Sequence, residues 1–353
     1  MWRPCGALDD TYEKDLSIIR TRLQLGVTLI GLVVLFLMPY WMSGVILNTV
    51  NLIAITIVAL HGVNILTGMT GQITLGQASF MAVGAYSMTM MVKYWGLSFW
   101  LATPIAMLIT GLVGIIVGLP SLRIKGFYLA MATLAAQFII PWLIVNARPD
   151  LTGGTDTMSV PAPSIGEFKF ITQQSIFYIC MTAAVISTIF ARNLLRSRFG
   201  RAFIAIRDND LAAEIMGIGL VRYKLLSFFI CSLYAGLAGA LYAIWSRGIT
   251  PEHFEMHESI WYLGMLIVGG MGSVPGVVFG AVLIRSLNIL VTHIGPYVGT
   301  FITDEATAVA IELGMGPVVF GLVVLGFLIF EPRGLARIWE RFKAFYRLWP
   351  FSY

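Results

Sequence analysis

The chain has 353 residues, 58% of them hydrophobic and 12% charged, with a net charge of +5 and a mean hydropathy of +0.84. Soluble domains run at about 45–50% apolar and about 25% charged, so a water-soluble globule is excluded, and the lack of strand alternation excludes an outer-membrane barrel. Several apolar runs exceed ~18 residues, which predicts an all-α, polytopic integral membrane protein; the small positive charge calls for no nucleic acid.

Ten apolar segments follow one another, over 24–42, 45–66, 72–92, 98–119, 127–145, 174–195, 223–246, 259–271, 276–293 and 314–330. They predict about ten transmembrane helices between a cytoplasmic N-terminal segment, 1–23, and a basic cytoplasmic tail, 331–353. With the N-terminus inside, 18 of the 23 Lys and Arg residues fall on cytoplasmic pieces and helix ends, 4 on external ones, and Arg285 within a segment. The positive-inside rule then sets both termini in the cytoplasm. The acidic start, with Asp9, Asp10 and Glu13, does not read as a signal peptide. Cys5, Cys180 and Cys231 are far apart and predict neither a disulfide nor a metal site.

The first segment ends in Pro39, Tyr40 and Trp41, an interfacial belt. The second runs through LHGVNILTG into MTGQITLGQASFMAVGAY, where Gly62, Gly68, Gly71, Gly76 and Gly84 interrupt it. Asn64, Gln72, Thr74, Gln77 and Ser79 bring amides and hydroxyls to the same stretch. Irregular backbone at membrane depth survives only where protein buries it or where it lines a wet cavity. The stretch therefore reads either as a broken helix beside a translocation path or as tight packing through small residues. Further on, Arg123 and Lys125 mark a short cytoplasmic turn. Pro141 would kink the fifth segment. Residues 146–173, rich in Gly, Pro, Thr and Asp, read as an external loop able to act as a docking surface.

The longest polar island is Arg196–Lys224. Its centre predicts a short amphipathic helix with Leu211, Ile215 and Ile218 on one side. Asp208 or Asn209 can cap that helix and Gly217 or Gly219 can stop it. The island reads as an orienting loop or as a helix that docks on a cytoplasmic partner. Beyond it, Gly236, Ala238, Gly239 and Ala240 are spaced for close helix packing. His253 and His257 are four apart but lack a third ligand, so a solvated helix is preferred to a metal site. IVGGMGSVPGVVFGA is a second Gly- and Pro-broken stretch. Interrupted segments in both halves are a pointer to a transporter core. Arg285 and Asn288 lie in an apolar segment; with Pro296, Asp304, Glu305 and Glu312 close behind, the expectation is a helix that surfaces early. The tail suits a helix lying on anionic lipid.

No Lys in the chain follows a Gly, so there is no phosphate-binding loop and no ATPase site. No catalytic, zinc or nucleophile motif is present, which disfavours an enzyme. A membrane-embedded acid, usual in proton- or sodium-driven carriers, is also missing from the first eight segments. An unpowered path beside a docking helix points to energy from another subunit. The rival reading is a self-sufficient carrier or channel.

IRDNDLAAEIMGIGLVRYKLLSF and YAGLAGALYA closely resemble the cytoplasmic loop and following helix of branched-chain amino acid ABC-importer permeases of the LivM type. GQITLGQASFMAVGAY, SLRIKGFYLAMATLA, LTGGTDTM and IVGGMGSVPGVVFGA fall in the family's order, so the resemblance covers roughly residues 45–330. It implies one permease half, without cofactor, paired with a LivH-type second permease, two cytoplasmic ATP-binding subunits and a periplasmic substrate-binding protein in a bacterial inner membrane. The ATPase-coupling role it implies falls on Asp208, Ala212, Ala213, Glu214 and Gly217. The pathway-lining role falls on Gly71, Gln72, Gly76 and Gln77. Two departures, Thr157 where the family often has glycine and the lack of an acid in the fifth segment, leave the substrate open among branched-chain amino acids, other amino acids, urea and short amides.

The orientation has a direct test. A membrane-impermeant thiol reagent is expected to label Cys5 only from the cytoplasmic side; labelling from the periplasm in intact cells would reverse the topology.

Overall fold

The computed structural model describes residues 22–124, 126–166, 168–299 and 305–348. Cys5 with the acidic start, Lys125 and Asp304 lie outside them, as do the side chains of Pro296, Glu305 and Glu312. Each of the ten apolar segments falls on a helix: α1 (Arg22–Leu37), α2 (Gly44–Val63), α3 (Gln77–Trp95), α4 (Phe99–Gly118), α5 (Phe127–Asn146), α7 (Gln173–Arg196), α10 (Leu220–Ser246), α11 (Met256–Gly269), α12 (Val274–Gly299) and α13 (Glu305–Phe330). Shorter helices are α6 (Pro149–Thr152), α8 (Arg198–Asp208) and α9 (Asp210–Ile215), and α14 (Gly334–Leu348) forms the tail.

By length and apolarity alone, six helices can cross a membrane, or seven if the pair Gly314–Phe330 and Gly334–Phe345, bent by 48°, is one span. The expected ten crossings exceed that number for a physical reason. The 14 residues of α11 rise only about 21 Å, less than the ~30 Å hydrocarbon core. Helix α3 begins only at Gln77, after seven residues of non-helical chain; its 19 residues rise about 28 Å, but Gln77, Ser79, Ser87, Thr89 and Lys93 make it less apolar than the six spans.

α2 and α10 form the centre of the bundle. α2 is the most enclosed span, with 89% of its apolar window buried, and it lies against α7, α10 and α12. α10 lies against α3 and α4. Lipid offers apolar helices no hydrophobic reason to associate, so close packing must supply the attraction. Gly84 meets Gly236 where α3 crosses α10: a Cβ on Gly84 would stand 2.5 Å from the Gly236 Cα. The stripe Gly111, Gly114 and Gly118 on α4 receives Phe229, Ser232 and Phe228 of α10. The small residues expected to pack do so.

One end of the bundle carries the 146–173 loop. It holds α6 and two minimal ladders, β1 (Met158–Ser159) with β4 (Gly248–Ile249), and β2 (Ser164–Ile165) with β3 (Phe168–Lys169). The Arg247 guanidinium donates to the carbonyls of Phe170 and Ile171. The loop and the 247–258 link thus make one surface. His253 and His257 do not converge there: His253 stands edge-on to Tyr242 and His257 to Trp261.

Arg285 corrects the expectation of a helix that surfaces early. It sits eleven residues into α12 and is 7% exposed. Its Nη2 meets Glu258 Oε2 at 3.1 Å, and its Nε donates to Thr56 Oγ1 at 3.0 Å. Glu258 and Thr56 come from α11 and α2. A buried charge persists only when it is paired and hydrogen-bonded, and these two helices provide both.

Candidate coupling and translocation site

At the opposite end of the bundle the polar island folds as the expected short helix, α9, preceded by a second helix, α8, that the sequence reading did not include. α8 buries Ala202, Phe203 and Ile206. Asn209 then adopts extended backbone (φ −161°, ψ 107°), and its side chain accepts from the Ala212 N–H at 3.1 Å, capping α9. The break turns α9 away from α8. α9 ends in a Schellman pair: Ile218 N–H donates to Ala213 C=O and Gly217 N–H to Glu214 C=O. Gly217 takes φ +85° with no atom close to its missing Cβ, so backbone conformation alone selects glycine there.

α9 stands on Ala213, which is buried, and on an ion pair between Asp210 and Lys224 at 3.7 Å. Its other faces are open. Leu211, Ile215 and Met216 are 66%, 83% and 81% exposed, and Ala212 and Glu214 are exposed beside them. Asp208 lies one residue before the break and pairs with Arg207 at 3.1 Å.

Arg207 links the island to the first interrupted segment. Its Nη1 donates to the Gly68 carbonyl at 2.9 Å, and its stem lies over Gly71, where a Cβ would be 3.0 Å from the Arg207 Cγ. Gly68 belongs to a π-helical turn, Asn64–Met69, that follows α2. Across from it stands the second interrupted segment: Gly272 N–H donates to Asn64 Oδ1 at 2.8 Å. A side chain on Gly68 would strike the Gly272 N and Asn64 Oδ1. The two glycine-broken stretches therefore touch each other, and Arg207 closes the cluster. On the far side of the second break, Gly334 at the start of α14 presses against Gly270.

From Thr70 to Gly76 the chain is not helical, and its polar groups find partners in the bundle. Gln72 N–H donates to Leu66 C=O, and Thr67 and Thr70 hydroxyls donate to Gln72 and Ile65 carbonyls. Leu75 N–H donates to Thr133 Oγ1. At the start of α3, Ala78 N–H donates to Ser259 Oγ and Ser79 N–H to Gln137 Oε1, each at 2.9 Å. A helix N-terminus leaves its first donors without intrahelical acceptors; here α5 and α11 provide them.

The residues expected to line a path divide into two layers. Gly71 and Gln72 border a cavity of about 350 Å3, together with Ser121, Leu129, Asn209 and Lys224. Gln72 Nε2 donates to Ser227 Oγ at 3.2 Å, while Gln72 Oε1 and Ser121 Oγ are buried with no protein partner. Gly76 and Gln77 lie deeper. Gln77 is 1% exposed, its Nε2 donates to Ala59 C=O, and its Oε1 accepts from the Cys231 thiol. Sequence reasoning missed Arg207, Gln137, Ser259 and Glu258. The available signal was a lone polar residue at or near an apolar helix, which at membrane depth needs a partner. Among the described residues, no three His, Cys, Asp or Glu side chains gather as a metal site.

A glycine-broken, multi-helix bundle with a polar island at one end is the architecture of a membrane permease. The family described as branched-chain amino acid transport system / permease component matches residues 45–330, and the chain belongs to that family. The permease protein LivM of the high-affinity branched-chain amino acid transport system of Salmonella typhimurium is 31% identical over 277 residues, 72% of this chain and 65% of the relative. LivM of Escherichia coli is 31% identical over 270 residues, 70% of this chain and 63% of the relative. The chain thus spans slightly less than two thirds of these relatives. A probable LivH of Methanocaldococcus jannaschii is 25% identical over 284 residues, 76% of this chain and 84% of the relative.

Asn64→Ala is expected to leave the Gly272 N–H without an acceptor. An unmet buried donor costs about 1–3 kcal/mol, so the thermal midpoint should fall and amide exchange at Gly272 should rise. Unchanged exchange at Gly272 would show that the contact between the two breaks is incidental.

Proposed function

We propose that this chain is one permease subunit of an ABC importer that carries leucine, isoleucine and valine across a bacterial inner membrane, with both termini in the cytoplasm. In this reading 24–330 is the permease domain, 196–222 its coupling loop and 331–353 a tail on anionic lipid. The chain has no ATPase site of its own. It works with a LivH-type second permease, two ATP-binding subunits and a periplasmic binding protein, and the 31% identity to two LivM proteins supports that assignment.

The observation that carries the mechanism is the Arg207–Gly68 hydrogen bond. It makes the backbone of the first break an immediate neighbour of the coupling loop. An ATPase that grips α9 through Leu211, Ile215 and Met216, with Glu214 at the rim, would move α8 and Arg207 as it closes. Asp208 holds the guanidinium in line, Ala212 and Ala213 let the partner and α10 approach from either side, and Gly217 fixes the turn. Displacing Arg207 withdraws a donor from Gly68 and loosens the contact with Gly272, next to the cavity that Gly71 and Gln72 border. Gly71 and Gln72 form the wall of the path, and Gly76 and Gln77 form the layer that holds the wall in place. Neutral amides suit this wall because conduction requires release as well as entry.

Two sets of variants test the scheme in the assembled importer. Gly217→Val and Glu214→Arg should still insert but weaken ATPase co-purification by about tenfold, equivalent to ~1.4 kcal/mol at the interface. Full co-purification with normal uptake would remove the coupling role, and amino-acid transport by the purified chain alone would remove the importer assignment. Gln72→Leu should assemble and lose uptake at saturating binding protein. Gln77→Leu should instead lower thermal stability, by about 1–3 kcal/mol for the lost bond to the Ala59 carbonyl and the unmet Cys231 thiol. Normal uptake by Gln72→Leu would end the wall assignment.

A further inference from the structure

Near the 247–258 link a second cavity, of about 100 Å3, lies between α2, α3, α10, α11 and α12. Its polar lining includes Arg285, Glu258 and Trp245; its apolar lining includes Leu52, Met81 and Phe254. Arg285 Nη2 and Glu258 Oε2 are 3.1 Å apart, so cation and anion stand side by side at the wall. The Arg285 guanidinium also lies 6.0 Å from the Tyr262 ring centre, and its Nε is fixed by Thr56. The Trp245 Nε1 is buried and has no hydrogen-bond partner. A buried donor without an acceptor is destabilising unless something occupies the space beside it.

We propose that this cavity is a transient binding station for the zwitterionic head of an α-amino acid, with Arg285 and Trp245 receiving the carboxylate and Glu258 the ammonium. The assignment rests on the amino-acid importer reading above and names a site within it. Charge selects the class of ligand. A lone anion on Arg285 would leave Glu258 without its partner, and a lone cation on Glu258 would strip Arg285; breaking a buried pair in that way is strongly destabilising. A zwitterion exchanges one ion pair for two and leaves neither charge exposed. Leu52, Met81 and Phe254 offer an apolar surface to a branched aliphatic side chain. The station is weak by construction: the internal Arg285–Glu258 pair competes with the ligand for both charges, and the cavity is smaller than the ~300–1,000 Å3 of tight small-molecule sites. Weak holding is what passage requires.

The test is saturation-transfer NMR on the assembled transporter in nanodiscs, without the soluble binding protein. The probes are leucine, isocaproate, which lacks the ammonium, and isopentylamine, which lacks the carboxylate. Leucine should give a saturable signal at millimolar concentration and the two analogues should not compete for it. Arg285→Gln and Glu258→Gln should weaken leucine binding by at least about tenfold, as expected for the loss of a charged hydrogen bond. Trp245→Phe, which keeps the ring and removes only the donor, should weaken it by about three- to tenfold. Should the charge variants fail to assemble, Trp245→Phe decides the matter. An unchanged leucine signal in that variant, competition by isocaproate alone, or no saturable signal from wild-type protein that imports leucine normally would each overturn the station. Wild-type protein that binds and imports no amino acid would overturn the importer reading itself.

Discussion

A chain that breaks its helix inside a membrane must find a partner for every freed N–H and C=O, because lipid supplies none. The stretch from Asn64 to Ser79 meets that demand, and much of the bundle is arranged around it. Thr67 and Thr70 take carbonyls of the broken turn, while Thr133, Gln137 and Ser259 take donors at and before the start of α3. Gln137 is itself held by the Phe254 carbonyl and the Ser259 hydroxyl. α5 and α11 are thus tied to α3 by polar bonds rather than by apolar packing alone. Remove the break and these side chains become buried polar groups without a purpose.

The same constraint brings the two halves together. The first break exposes the Gly68 carbonyl and the second exposes the Gly272 N–H. Asn64 takes one and Arg207 the other. Neither break is complete without the opposing segment or the island. A local rearrangement of α8 therefore cannot leave the broken turn unchanged: the Gly68 carbonyl must either follow Arg207 or find water in the adjoining cavity. This is a contiguous physical link between two elements, the kind of warrant a coupling argument needs. It links neighbours and requires no long pathway.

The sequence made the helices and both breaks legible, since apolar runs and glycine clusters are local signals. The Asn209 cap and the Gly217 stop were legible for the same reason; each acts within a few residues. Arg285 was not. Pro296 and the acids behind it suggested an early exit to water, because the partners that keep it inside, Glu258 and Thr56, are 27 and 229 residues away. The helix ahead of the Asn209 cap, α8, was also hidden: its packing face, Ala202, Phe203 and Ile206, shows only once it is buried, and the Asp210–Lys224 pair that fixes α9 on α10 is tertiary. Gln72 and Gln77 are identical residues in similar local settings, and only the packing separates them: one borders a cavity, the other is enclosed by Ala59 and Cys231.

The two cavities differ in a way that follows from how each part of the fold is held. Near the island, neutral groups dominate the buried surface, and the lining charges, Arg207 with Asp208 and Lys224 with Asp210, are paired within the island and its neighbouring helix. That region must change shape if the island moves, and neutral hydrogen bonds can be exchanged for water at small net cost. Near the loop end, a buried Arg–Glu pair joins α11 to α12 and braces α2 through Thr56. Breaking such a pair by removing one partner costs several kcal/mol, so this part of the bundle resists opening until another pair of charges replaces the first. A zwitterion can do that and a neutral or singly charged solute cannot. In the proposed scheme this asymmetry, a yielding end built on amides and a resisting end built on ions, lets one chain respond to a solute at one face and to a moving partner at the other.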